Sequence, residues 1–184
     1  MPDDRKIRAD FDDSTIVVYQ AFREAIAVAA VARQTFVAPF AVGRMTWIKP
    51  SFLWMMERSG WGTKPDQEHT LAVRITRAGW EEALGQAILT EREVDGARVR
   101  VQWDPERSAR GAKLSYRSIQ VGLSRRIVGR YVDEWVKEIR DLSDRVARMR
   151  RLREAQEFDN LAKLLPREKV YPTPPALRKV LGMG

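Results

Sequence analysis

No cysteine occurs among the 184 residues, which excludes disulfides, thiolate nucleophiles, iron–sulfur clusters and cysteine-based zinc sites. Histidine occurs once, as His69 in the stretch GTKPDQEHT. One imidazole cannot build a histidine-rich metal site, so no metal is expected, and a lone histidine in polar surroundings reads first as a solvated loop residue. A serine-histidine-aspartate triad would have to be built on it, yet the G-x-S-x-G elbow is missing. Also missing are the Walker A phosphate loop and G-x-G-x-x-G. The longest Ala/Val-rich run, AIAVAAVA at Ala25–Ala32, is far too short to span a bilayer. The start, MPDDRKIRADFDD, is charged and lacks an apolar segment of the secretory kind. The expectation is a cytoplasmic protein with no membrane partner.

What the chain has in excess is positive charge. Its formal net charge is +8, and the stretch Arg98–Arg153 carries 16 basic against 7 acidic residues. Such a balance favours an anionic partner: nucleic acid, a nucleotide or other phosphorylated cofactor, or an acidic surface.

The pattern of apolar residues predicts alternating elements. TIVVYQAF (Thr15–Phe22) is short, β-branched and aromatic, and reads as a buried strand. The Ala-rich Arg23–Gln34 reads as a helix, and RMTWIK as a second strand. Pro50 ends that strand and Ser51 caps a short helix, FLWMMERS, closed by Gly60. HTLAVRIT (His69–Thr76) is a third strand, Ala78–Leu89 a helix, Ala97–Trp103 a fourth strand, and DPERSARGAK a polar loop before a fifth strand at Tyr116–Leu123. Val128, Tyr131, Trp135, Ile139, Leu142, Val146 and Met149 recur at three- and four-residue steps, which predicts one long helix from Ser124 to Glu154. The fold class is α+β: a single mixed, mostly antiparallel sheet with packed helices and one long C-terminal helix. Residues 1–165 form the domain and 166–184 a proline-rich basic tail, docked through Tyr171.

Four clusters are candidates for chemistry. On the first strand, Tyr19 and Gln20 point to opposite faces, either as a core tyrosine with a solvated glutamine or as a ligand-facing polar group. In RMTWIKPSFLWMMERSGW, which holds three of the six tryptophans, Arg44, Thr46 and Ile48 share one face while Met45, Trp47 and Lys49 share the other. Phe52, Met55 and Met56 read as core. Arg44, Trp47, Lys49 and Ser51 suit a groove in which the indole stacks on a planar ring and the cations meet phosphate, helped by the free N–H groups of the helix that Ser51 caps. Asp104 and Glu106 stand in a basic neighbourhood, near a strand on which Ser118 and Gln120 share a polar face. Finally, Arg145, Arg148 and Arg151 belong to an arginine run that reads as a solvated face or as contacts to a nucleic-acid backbone.

With VVYQAF, RMTWIKPSFLWMMERSGW, VQWDPER and YRSIQVGL in hand, the chain resembles the bacterial family known as domain of unknown function 4291, from IRADFDD to KVYPTP. More distantly it is similar to the ADP-ribosyltransferase-like fold, in which a first strand ends in an aromatic-polar pair, a second strand runs into a helix below the nicotinamide, and a later strand carries a catalytic glutamate. That resemblance implies NAD as cofactor, a pocket lined by Tyr19, Gln20, Arg44, Trp47, Lys49 and Ser51, and ADP-ribosyl transfer to nucleic acid or protein. Gln120 stands where the glutamate is expected, so the resemblance leaves Asp104 or Glu106 to supply the carboxylate. A non-catalytic RNA- or DNA-binding module, with Trp47 as stacking platform and the basic helix as backbone rail, is the second reading. A structural protein with the long helix as its interface is the third.

Overall fold

A computed structural model of the chain describes residues 4–92 and 94–184. In chain order the elements are β1 (Arg8–Ala9), β2 (Thr15–Phe22), α1 (Glu24–Arg33), β3 (Thr46–Ile48), α2 (Phe52–Ser59), β4 (His69–Thr76), α3 (Arg77–Gly85), β5 (Ala87–Leu89), β6 (Val99–Arg107) and β7 (Lys113–Leu123). A short α4 (Val128–Arg130) then runs into a π-helical turn, Tyr131–Trp135, followed by β8 (Val136–Asp141), α5 (Ser143–Glu154), α6 (Phe158–Ala162), β9 (Lys169–Val170) and α7 (Pro175–Leu181). The class is α+β, as expected, but the strands divide into three sheets rather than one. They are β2-β4-β8, all antiparallel; β3-β7-β6-β5, in which only the β5–β6 pair is parallel; and the pair β1-β9. The two larger sheets meet where Tyr19 N–H donates to the Lys49 carbonyl at 2.7 Å.

The strand β2 is buried on both faces because each face has its own apolar cover. Ile16 and Val18 face Leu71, Val73, Ile75 and the helix α3, whose Trp80, Ala83 and Leu84 fill the main core together with Val99, Val101, Val121 and Leu123 of the other sheet. Val17 and Tyr19 face a second core made by Phe52, Met55 and Met56 of α2 with Trp61, Val146, Met149 and Leu161. The core reading of Phe52, Met55 and Met56 therefore agrees with their burial.

The long C-terminal helix does not form. Of the seven residues in its supposed stripe, Val128, Tyr131, Trp135, Ile139, Val146 and Met149 are buried and Leu142 is half-buried, so the periodicity marked burial correctly. The backbone between them differs. Residues Val136–Asp141 extend along β4, with Ile139 opposite Val73. β4 would otherwise be an edge strand with unpaired N–H and C=O groups, and the pairing outweighs a helical turn that Gly129 already weakens. The π-helical turn packs Trp135 against Gly79 of α3, where even a Cβ would lie 2.6 Å from Trp135 Cδ2. With no long helix, the structural reading loses the interface it rested on.

Two further boundaries move for the same reason. The predicted helix Ala78–Leu89 stops at Gly85, because Ala87–Leu89 pairs in parallel with Val99–Val101. The supposed loop DPER is strand: β6 continues to Arg107 against β7, and the register shift between Pro105 and Arg107 accommodates the proline that cannot donate to a ladder. Residues 166–184 are packed in place by β9 on β1, by buried Tyr171 and Leu181, and by Trp103 Nε1–H donating to the Leu181 carbonyl at 3.1 Å. Among the described residues no helix is long and apolar enough to cross a membrane.

Candidate functional site

Alternation along β3 puts Thr46 and Ile48 into the main core and Trp47 and Lys49 on the opposite face of their sheet. Gly122 of β7 lies opposite Trp47, and its missing side chain leaves the space that the indole and Met45 occupy. On the same face, β6 and β7 present Gln102 and Gln120 as direct cross-strand partners. Helix α2 crosses this face and contributes Met55 and Arg58. The result is a cleft of about 890 Å³ bordered by Arg44, Trp47, Lys49, Arg58, Gln102 and Gln120, with Gln20 at its base and Arg23 and Asp66 at its rim. Its four cationic side chains face a single acid on the wall, a field that attracts anions.

Asp104 lies beside the two glutamines. Gln102 Nε2 donates to Asp104 Oδ1 at 2.8 Å and Gln120 Nε2 to Oδ2 at 2.7 Å, so both carboxylate oxygens are fixed by amide donors. Lys49 is the unusual group. It is 6% exposed, its Nζ reaches only the Trp47 carbonyl, at 3.5 Å, among the described residues, and it lies 5.4 Å above the Trp54 ring. Burial, with a smaller push from the Arg58 guanidinium, lowers its pKa from 10.5 to about 7, against the opposing pull of Asp104. Near neutrality the cleft therefore holds a lysine that is close to half amine. The sequence pattern suggested a rim ammonium on a half-open groove; the buried position replaces it with a group able to take or give a proton.

Of the residues expected at the site, Gln20, Arg44, Trp47, Lys49 and Gln120 come together here, with Asp104 tied to Gln120. Gln20 is already spent: its Nε2 donates to Thr46 Oγ1 at 2.8 Å and its Oε1 accepts from Tyr131 Oη at 2.7 Å, which makes it a buried brace. Tyr19 points through the other face of β2, where its ring meets Phe52 edge-on at 5.3 Å. Ser51 caps α2 as expected, accepting from Trp54 N–H at 3.1 Å. The helix N-terminus, however, is not open to a phosphate, because Phe52 N–H donates to Glu168 Oε1 at 2.8 Å. The chain supplies its own carboxylate to that helix end from 116 residues away, a partner no local pattern announces.

Glu106 is also removed from the cleft. It is buried beneath the start of α2, where it hydrogen-bonds to Ser51, and burial raises its pKa. The neighbouring Glu168 is pushed up from 4.5 to about 8, chiefly by burial and against the Phe52 hydrogen bond. Glu168 thus enters the neutral range protonated in the folded state and near 4.5 in the unfolded chain. The native state holds the extra proton between those values, so its stabilising contribution is complete below pH 4.5 and fades as pH rises through 8. Glu168→Gln keeps the acceptor for Phe52 and removes the titration. Its stability relative to the parent is expected to climb between pH 5 and 9 by on the order of 2 kcal/mol, allowing for partial solvent screening. Urea unfolding across that range checks this, and a pH-independent difference would refute the buried-acid assignment.

The arginines of α5 are mostly occupied. Arg145 donates to the Leu164 carbonyl, Arg150 to the Trp61 carbonyl at 2.8 Å and Arg153 to the Ala109 carbonyl at 3.1 Å. Arg148 and Arg151 are exposed, away from the cleft. His69 opens β4, as the strand His69–Thr76 predicts, and is not a solvated loop residue. Its Nδ1 lies 3.0 Å from Asp141 Oδ2 and 3.3 Å from Ser143 Oγ. Both partners address the same ring nitrogen, whereas a nucleophilic triad needs the serine on the other one.

Sequence reasoning did not select Arg58, Gln102 or Arg23. Arg58 follows Trp54 by four residues on α2, and Gln102 shares a strand face with Asp104, so both were within reach of simple periodicity. The missing information was that β6 and β7 align Gln102 with Gln120 under that helix. No curated protein matches the chain. At the family level the result is definite: over residues 6–171 the chain matches the family described as "Domain of unknown function (DUF4291)", and it belongs to that family.

Proposed function

We propose that the cleft binds a nucleotide and that the protein is a nucleotide-dependent transferase, most concretely one that moves ADP-ribosyl from NAD to nucleic acid or protein. One observation carries this reading. Trp47, three arginines, a lysine that titrates near neutrality and Gln120, itself bonded to Asp104 behind the wall, border a single cleft, whose volume lies in the range of about 300–1,000 Å³ usual for ligand sites. The residues fit NAD in kind: Arg44 and Arg58 would hold the pyrophosphate, and the half-exposed Trp47 would stack on a ring. When bound, NAD supplies a glycosidic bond whose cleavage develops positive charge on the ribosyl carbon. Asp104, held by two amide donors, would supply fixed negative charge from behind Gln120 without reorganisation. In this reading it takes the part of the glutamate that the sequence lacks at Gln120. Lys49, as the amine, would accept the proton of the acceptor group.

NAD or ADP-ribose at millimolar concentration is expected to raise the melting temperature by several degrees, the effect of ligand in large excess over its dissociation constant. Arg58→Ala should abolish most of that shift. Absence of any shift in the parent would remove the reading. The second reading, a non-catalytic RNA- or DNA-binding module, draws on the exposed Arg148 and Arg151. It gains if a single-stranded oligonucleotide, and no nucleotide, stabilises the protein in a way that falls steeply with salt and with Arg148→Glu.

A further inference from the structure

A second cavity, of about 410 Å³, lies against the opposite face of the β2-β4-β8 sheet. Tyr19, whose neighbour Gln20 braces the first cleft, contributes its ring to this wall. The residue is 2% exposed, and its hydroxyl has no hydrogen-bond partner among the described residues. That oxygen lies within electrostatic range of Asp10, Arg74 and Arg145, all of which line the same cavity, and of Glu168. Burial keeps the phenol protonated, so it is a donor without an acceptor.

The charges around it are unevenly matched. The wall holds Arg74, Arg140, Arg145, Lys163 and Arg167 against Asp10 and Glu138. Both acids are already committed: Arg74 lies 4.0 Å from Asp10 and 3.6 Å from Glu138, and Arg140 meets Glu138 at 2.7 Å. Arg145 and Lys163 contact only the Leu164 carbonyl and Asn160 Oδ1, and Arg167 has no carboxylate among the described residues. Three cations without a carboxylate partner among the described residues, Arg145, Lys163 and Arg167, therefore line one cavity together with the unpaired Tyr19 hydroxyl.

We propose that this second cavity binds a phosphate monoester, with Arg145 and Arg167 clamping its oxygens, Lys163 adding charge and the Tyr19 hydroxyl donating from the floor. Guanidinium forks and a hydroxyl donor match the several acceptor oxygens of a dianionic phosphate better than they match a single carboxylate. The group can arrive on a free small molecule or as the 5′ end of a nucleic-acid strand.

Amide chemical shifts followed in titrations with inorganic phosphate, adenosine 5′-monophosphate, and a short oligonucleotide with a 5′-phosphate or a 5′-hydroxyl test this. Saturable shifts at residues 17–19 and 140–145 are expected. They should weaken about tenfold or more in an Arg145→Ala, Arg167→Ala variant and several-fold in Tyr19→Phe, which keeps the ring contact with Phe52. Lys49→Met, in the first cleft, should leave them unchanged. Saturation by the mononucleotide assigns the site to small phosphorylated molecules. Preference for the 5′-phosphorylated over the 5′-hydroxyl strand assigns it to strand ends. No saturable shift, equal binding by the arginine variants, or loss of binding in Lys49→Met alone overturns the proposal. Because the readout lies at the second cavity, it succeeds or fails independently of NAD binding at the first.

Discussion

Gly79→Ala is expected to lower stability by roughly 1–2 kcal/mol, the net of two opposed terms. In the first turn of α3, where Gly79 N–H donates to the Thr76 side chain, alanine should gain at most about 1 kcal/mol over glycine from propensity alone. Here the added Cβ would fall within 2.6 Å of Trp135 Cδ2, overlapping the indole. Trp135 is buried at the π-helical turn that carries the chain into β8, so it has no open side to retreat to. Overpacking of this kind costs about 1–3 kcal/mol and sometimes more, and it outweighs the propensity gain. Denaturant unfolding measures the effect. A Trp135→Leu change should relieve it, so the double variant will be more stable than the two single losses added together predict. An unaltered or raised stability in Gly79→Ala would show that Trp135 does not sit on this glycine.

Lys49→Met is expected to raise stability at pH 7 by on the order of 3 kcal/mol. The sign follows from proton counting. The unfolded chain holds the lysine proton up to about pH 10.5, and the folded state releases it near 7. Between those values the unfolded state binds more protons, so the parent gains stability as pH rises, and at lower pH it carries a buried ammonium without a carboxylate partner. Methionine has nearly the same shape and no charge to desolvate, so the variant should lack that upward slope. Glu168 acts oppositely over its own range, from 4.5 to about 8. The two contributions together leave the parent weakest near pH 7–8, where Lys49 is largely deprotonated and Glu168 begins to ionise. Unfolding free energies of the parent, Lys49→Met and Glu168→Gln from pH 5 to 10 separate the terms. A Lys49→Met variant that is less stable at pH 7, or that keeps the slope, would mean that Lys49 is a solvated cation.

These two variants mark where local reasoning stops. The contact between Gly79 and Trp135 joins residues that no spacing rule connects, because it depends on a chain reversal between α3 and the π-helical turn. The low pKa of Lys49 needs the knowledge that α2 folds back over β3 and seals the amine beside Arg58, although Lys49 and Arg58 lie in one recognisable segment. Strand alternation did place Trp47 and Lys49 together on one face, and it separated Tyr19 from Gln20. It could not say that Tyr19 and Gln20 would face two different cavities. Ser51 was legible as a helix cap, but the anion at that helix end is Glu168, from the far end of the chain.

By itself the sequence determined the chemistry available and the identity of what is buried. The absence of cysteine, the single histidine and the basic excess are properties of composition, and the family is carried by contiguous motifs. The apolar periodicities of residues 15–22 and 128–149 marked core positions, since side-chain spacing reports which face meets water whatever the backbone does. Tertiary structure alone decided that Val136–Asp141 is a strand, because the unpaired edge of β4 required a partner. It likewise decided that Asp104, rather than Glu106, joins Gln120, because the β6–β7 register and the cover of α2 set their positions. Hydrogen-bond satisfaction and desolvation depend on neighbours distant in the chain, and those neighbours exist only once the sheets have paired.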